Sequence, residues 1–332
     1  MTYTYYIRRW CGSDYNNGLS GSGAWKTLRN ANMNMVAGDT VYVGSGSYYL
    51  ESTDIERGIQ PVNNGSSGSR IEYIADRFGI YTGDSGEIKI KRANFQRDYI
   101  TMDGFYVDNG SSAINDVSIV GIYTIVRNCR TKYSSQFGGG GYGCNQVQVY
   151  NNIFAEGKIH SVPAVAFYFV NGETGHFYYN TVFGTDKDAS YNTQCLVIYS
   201  PNNALFDIYI KNNIFAGVLS SLSYYLIKYY PQHVSDWNNK FHIDYNFYQY
   251  TNGQFVYVDV WVEAGDCEFD NLTVFQAGSG SLNGKEANGK EGDPKFFDVS
   301  NSDYYLLGSS PCISTATDVG IYTDHDGNTR PL

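Results

Sequence analysis

Proline and charge are both scarce in this chain: 7 prolines in 332 residues, and only 17% Asp, Glu, Lys and Arg. No apolar stretch approaches the roughly 20 residues that a membrane-spanning helix needs, so a membrane helix is not expected. Basic runs are absent, and 23 Lys and Arg against 33 Asp and Glu give a net charge of −10. Double-stranded nucleic acid is therefore a poor partner, since neutralising phosphates dominates that affinity. An acidic polysaccharide remains compatible, through a local basic groove or a bridging cation. The opening MTYTYYIRRW has no apolar signal core, so the expected setting is extracellular with the leader trimmed, or a virion such as a phage tail. The six cysteines (11, 129, 144, 195, 267 and 312) show no CxxC and no His/Cys spacing suited to zinc. Cys129 and Cys195 read as small buried residues and free thiols are expected, a bridge between the pair nearest the ends being the alternative.

What the chain does have is repetition. NNIF at 151–154 returns as NTVF at 180–183 and NNIF at 212–215, each after a short alternating strand: Val147-Gln-Val-Tyr, His176-Phe-Tyr-Tyr and Ile208-Tyr-Ile-Lys. Weaker copies start at Asp103, Asn128 and Asp244, so successive starts lie 25, 23, 29, 32 and 32 residues apart. A period in this range with strand chemistry throughout marks a solenoid of β-strands. Each strand ends at Asn, which tolerates the left-handed conformation of a sharp corner. A second strand follows the corner, and a third follows a variable loop at Val165–Val170, Leu196–Ser200, Leu226–Tyr230 and Phe255–Val260. The fold class is all-β, a right-handed parallel β-helix with three strands per coil and an N-terminal capping helix. Asn151, Asn180 and Asn212 are expected to stack at one corner, with Phe154, Phe183 and Phe215 inside.

The ends should be covered, because an open β-helix exposes unpaired strand edges. Ala24, Leu28, Ala31 and Met35 make a helical stripe for the N-terminal cap. Near the other end, 269–276 reads as a short helix, and the Gly/Ser/Lys/Glu-rich stretch 277–292 as a loop projecting into solvent. The organisation is one continuous unit: cap and first strand over 1–50, β-helix over 51–260, capping segment over 261–332. With 32 tyrosines, a Tyr-rich outer face is expected, and ring faces of that kind can pack on sugars.

The flanks carry a resemblance. Gly12-Ser-Asp14-Tyr-Asn16-Asn17-Gly18, Trp25-Lys-Thr-Leu28 and Gly38-Asp39-Thr40-Val41-Tyr42-Val43 resemble the opening of pectate-lyase-like β-helix proteins. Asp293-Pro-Lys-Phe296, Tyr304-Tyr-Leu306, Ser310-Pro-Cys-Ile313 and Asp326-Gly-Asn-Thr-Arg330-Pro resemble the closing segment of that superfamily. The resemblance implies the fold. It transfers no catalytic residue, because neither the clustered aspartates of polygalacturonases nor the arginine motif of pectate lyases has a counterpart here. The superfamily also spans lyases, hydrolases and tailspikes, so fold does not give function.

The expected site is a groove along the third strands, walled by loops 155–163, 184–194 and 231–239. Aligning Pro201 with Pro231 puts Ile198 with Lys228 on one outward row and Ser200 with Tyr230 on the next, extended by Tyr168 and Val170. Cleavage of a uronate polymer by β-elimination needs a neutralised carboxylate, a base for the C5 proton and an acid for the leaving oxygen. Lys228 or His160 can be the base, Tyr168 or Tyr230 the acid, and Asp186 with Asp188 could hold a calcium ion. Glycoside hydrolysis needs two facing carboxylates instead, for which Glu156 with Asp186 or Asp188 is the candidate pair. Lys158, Asp188, Glu173, His233 and Asp236 are expected to bind substrate. Asp324-His-Asp-Gly-Asn328 lacks the closing Glu of a calcium loop and reads as a terminal turn. The expected function is a depolymerase of an extracellular or cell-surface polysaccharide, monomeric or trimeric, with a non-catalytic glycan-binding or structural spike as the alternative.

Overall fold

The computed structural model describes residues 1–332 apart from 49–57, 111–115, 133–134, 138–144, 156–163, 170–173, 186–193, 201–206, 219–224, 251–254, 261–264 and 331–332. Three nine-stranded sheets form its body. Sheet A runs from Thr4–Ile7 through Val147–Tyr150, Thr174–Tyr178 and Asp207–Lys211 to Phe241–Asp244. Sheet B includes Ile153–Ala155, Thr181–Thr185 and Ile214–Val218, and sheet C includes Val165–Tyr168, Leu196–Tyr199 and Ile227–Tyr230. The chain visits A, B and C in turn, and the core coils pair in parallel register. This is the three-strand parallel β-helix, wound in the right-handed sense that parallel crossovers take.

The corner between sheets A and B shows how sequence sets the coil. Asn128, Asn151, Tyr179, Asn212 and Tyr245 all sit at φ between 54° and 61°. The residue after each turns inward, and from the second coil of this series it is always Asn: Asn152, Asn180, Asn213 and Asn246, each at most 2% exposed. Each Asn side-chain oxygen accepts the main-chain N–H of the coil before it: Cys129 N to Asn152, Asn152 N to Asn180, Asn180 N to Asn213 and Asn213 N to Asn246, at 2.8–3.0 Å. A buried amide must have its partners, and this ladder supplies them along the axis.

The ladder corrects the expected one. Only Asn180 of the three expected residues belongs to it; Asn151 and Asn212 occupy the left-handed corner and bond outward to the C-terminal tail, at Thr323 and Thr317. The middle echo is displaced by one residue, because its corner is Tyr179 rather than Asn180. A slip of one reverses every side chain in a strand. Phe154 therefore pairs with Val182 and Phe215 with Val182 from the other side, while Phe183 aligns with Ala155 and Ala216 on the outer surface. Phe183 packs there against Phe296 and Tyr304. The inner aromatic stack is Phe154, Phe177, Phe215 and Tyr248, with centroids 5.6–6.3 Å apart.

Both ends are closed. Helix α1 (Leu28–Asn34) is capped by Thr27 and buries Leu28 and Ala31, with Trp25 stacked on Tyr5 at 4.6 Å. At the other end α2 (Val234–Lys240) inserts Trp237 and α3 (Leu272–Ala277) inserts Phe275, which meet Phe241 and Phe269. The stretch 277–292 is not a free loop: most of it stays exposed, but Lys290 and Glu291 pair with Phe247 and Tyr248 of sheet B. It folds beneath the last coil, where Glu286, 1% exposed, takes the place of a further ladder Asn by accepting from Asn246 and Tyr248. Cys11, Cys129, Cys195, Cys267 and Cys312 are free thiols.

Candidate active face

Sheet C brings part of the expected site together, in a different register. Lys228 aligns with Val197 and Tyr257, and Tyr230 with Tyr199; Ile198 pairs with Tyr229 and is fully buried, so it belongs to the core. Tyr168, Tyr199 and Tyr230 form one outward column, with rings stacked at 4.6 and 4.9 Å. Lys228 lies between the rings of Tyr225 and Tyr257 at 5.1 and 5.2 Å, where burial lowers its pKa. His233 and Asp236 flank the start of α2, the Asp236 carboxylate accepting the His233 N–H at 3.1 Å. Glu156, Lys158, His160, Glu173, Asp186 and Asp188 lie outside the described residues, as do most of the loops expected to wall the groove. The calcium expectation rested on two of them; among the described residues no cluster of three or more His, Cys, Asp or Glu could hold a metal.

A second polar arrangement lies on the outer face of sheet A. Strand alternation there puts residues one and three before each left-handed corner outward. One column reads Gln148, His176, Tyr209, His242, and its neighbour Asp103, Arg127, Tyr150, Tyr178, Lys211, Asp244. In the first, the His176 ring stacks on Tyr209 at 5.3 Å and Tyr209 on His242 at 4.6 Å. His242 Nε2 meets the Asp207 carboxylate at 2.9 Å, which anchors the stack. In the second, Asp103 holds Arg127 Nε at 2.7 Å, and Arg127 donates onward to the Tyr150 hydroxyl at 3.1 Å.

The two columns meet at His176 and Tyr178, which occupy one strand two residues apart and so share a face. His176 Nδ1 lies 2.9 Å from Tyr178 Oη. Burial pulls the imidazole below its ordinary pKa, so it is neutral at neutral pH. Burial, reinforced by Tyr209, pushes the Tyr178 phenol up to about 12, so it keeps its proton. Lys211 is the register partner of Tyr178 on the next coil and makes no ion pair among the described residues. A neutral base, a protonated acid and a cation thus sit within two adjacent coils, spaced about 4.8 Å apart.

The outward residues of these strands were not among the expected site residues. The signal was present: counting back from the corner puts His176, Tyr209 and Tyr178, Lys211 in columns. It was obscured because Tyr179 holds the left-handed corner, which a bulky residue seldom adopts.

The C-terminal tail runs along the A–B corner beside this face. The Arg330 guanidinium lies 4.0 Å from the Tyr179 ring centroid and reaches the Asn151 side chain at 2.9 Å. His325 Nδ1 meets the Asn151 carbonyl, and Arg77 holds Asp326 and the His325 carbonyl. The 324–328 segment is the expected turn, closed by the Asp324 carboxylate on the N–H groups of Asp326 and Asn328.

No protein-family model matches the chain, and no curated protein does. Among solved structures it is similar to a pectate lyase, at 12% identity and TM-score 0.42 over 100% of this chain and 97% of that one. A rhamnogalacturonan lyase gives 13% identity and TM-score 0.38, with 90% and 91% covered. A lacto-N-biosidase from Eubacterium ramulus gives 8% and 0.35, with 78% and 68% covered. Likenesses this distant assign no activity and no site, and the reading of sheet A stands on its own geometry.

Proposed function

We propose that this protein cleaves a uronate-containing polysaccharide by β-elimination on the outer face of sheet A. The observation that carries the proposal is the His176–Tyr178 couple, with Lys211 one coil away. A parallel β-helix repeats about every 4.8 Å, so a sugar chain laid along the axis keeps contact with successive coils. Lys211 neutralises the carboxylate of the reacting uronate, which acidifies its C5 proton.

In the tautomer with Nδ1–H donated to Tyr178, His176 Nε2 offers a free lone pair. It takes the C5 proton; the electrons form the C4=C5 bond and the C4–O4 bond breaks. Tyr178 gives its hydroxyl proton to the departing O4 and is reprotonated from Nδ1 along the 2.9 Å hydrogen bond. His176 ends neutral, with its proton on Nε2, and solvent exchange resets the tautomer. Glycoside hydrolysis has less support here, because Asp103, Asp207 and Asp244 each already bind a neighbouring side chain.

The test is a panel of acidic and neutral polysaccharides read by absorbance of the unsaturated uronate and by new reducing ends. Absorbance is expected on a uronate polymer, and His176→Ala and Tyr178→Phe should each lower kcat by about 100-fold or more while binding persists. Lys211→Ala should raise KM as well. Reducing ends without absorbance would establish hydrolysis instead, and binding without either product would establish a glycan-binding spike.

A further inference from the structure

The position of the couple points to the stereochemistry of the substrate. We infer that the reacting sugar is a 4-linked uronate of gluco or manno configuration, in which H5 and O4 project from the same face of the ring. The inference rests on the elimination reading of sheet A and adds to it which uronates qualify.

His176 and Tyr178 project from one strand on one side of one sheet, with Nδ1 and Oη 2.9 Å apart. The ring is held in place by the stack on Tyr209, and Tyr209 by His242. A base and an acid in direct contact address two atoms of the substrate from the same direction. Elimination across C4–C5 then has to remove H5 and O4 from the same side. In glucuronate and mannuronate linked through O4 those two groups are cis. In galacturonate, guluronate and iduronate they are trans, so a base beneath the ring would leave O4 facing away from its proton donor. The atoms balance within the couple: H5 leaves to Nε2, its bonding pair becomes the C4=C5 double bond, and O4 departs with the phenolic proton. The phenol recovers a proton from Nδ1, so no external acid or oxidant enters the step. In the trans series the Tyr178 proton cannot follow O4, and the 2.9 Å relay gives no advantage.

The experiment compares initial rates of absorbance gain on 4-linked glucuronan and polymannuronate against polygalacturonate and polyguluronate, using the full chain, with reducing ends measured in parallel. At least one of the first two polymers should be cleaved about 100-fold faster than either of the others, the scale of one positioned acid–base group. That preference should disappear in Tyr178→Phe, with polymer binding retained. Equal or faster elimination on polygalacturonate or polyguluronate overturns the inference while leaving elimination intact. Reducing ends without absorbance, or no product from any of the four polymers, removes the elimination reading and the inference with it.

Discussion

Replacing Asn213 by Ala tests the register on which every statement about the outer face depends. The Asn213 amide donates to Asn246 Oδ1 at 2.9 Å, the Phe177 carbonyl at 2.8 Å and the Lys211 carbonyl at 3.0 Å. Its oxygen accepts the Asn180 main-chain N–H at 2.8 Å and the Asn180 amide at 3.1 Å. Alanine leaves the Asn180 N–H and the Phe177 carbonyl without these partners in a dry interior. At about 1–3 kcal/mol for each orphaned group, the expected loss is about 2–6 kcal/mol. Asn212 provides the control, one residue earlier in the left-handed corner at φ 61°. Glycine adopts that conformation freely, so Asn212→Gly removes the two bonds to Thr317 and a side-chain hydrogen bond with Tyr179, in a half-buried corner that water can reach, worth about 1–2 kcal/mol. Urea unfolding followed by tryptophan fluorescence and strand circular dichroism gives both midpoints. They are compared only where the slopes agree, because a solenoid need not unfold in one step. If Asn212→Gly lowers the midpoint as far as Asn213→Ala, the ladder runs through Asn212. The columns on sheet A would then be misassigned.

Phe215→Ala should cost about 3–5 kcal/mol by opening a cavity in the inner stack. Phe183→Ala should instead free the hairpin of Phe296–Asp298 and Asp303–Leu306, read as faster proteolysis near residue 300 with the urea midpoint of the coils unchanged. Glu286 is pushed up to about 7 by burial, so its contribution to stability is full below pH 4.5 and declines as pH rises through 7. Glu286→Gln should remove that dependence, worth about 3 kcal/mol between pH 4.5 and 8, and equal pH sensitivity of the two urea midpoints would refute it. Burial lowers the His176 pKa, so the acid limb of kcat/KM should fall below pH 6.5; a limb above that value would show that another group takes the proton.

How much could be read without a structure follows from what each feature depends on. The parallel β-helix was legible, because a period of 23–32 residues with strand chemistry leaves few other ways to bury an apolar face. The cap within 24–35 was legible because apolar spacing along a helix is a local property: Leu28 and Ala31 are buried on the helix, while Ala24 and Met35 are buried outside it. The register was not, since the motif NTVF at 180 begins one residue past its corner and only the pairing of Val182 with Phe154 and Phe215 reveals it. The role of Glu286 was also hidden. A glutamate among glycines and lysines reads as solvated, and only the end of the Asn ladder gives it a reason to be buried. The acid–base couple lies between these cases. His176 and Tyr178 share a face by the two-residue period of any strand, which the sequence alone determines. Stacking His176 on Tyr209 and setting Lys211 beside Tyr178 join residues about 30 apart in the chain, and only the winding of the coils decides that.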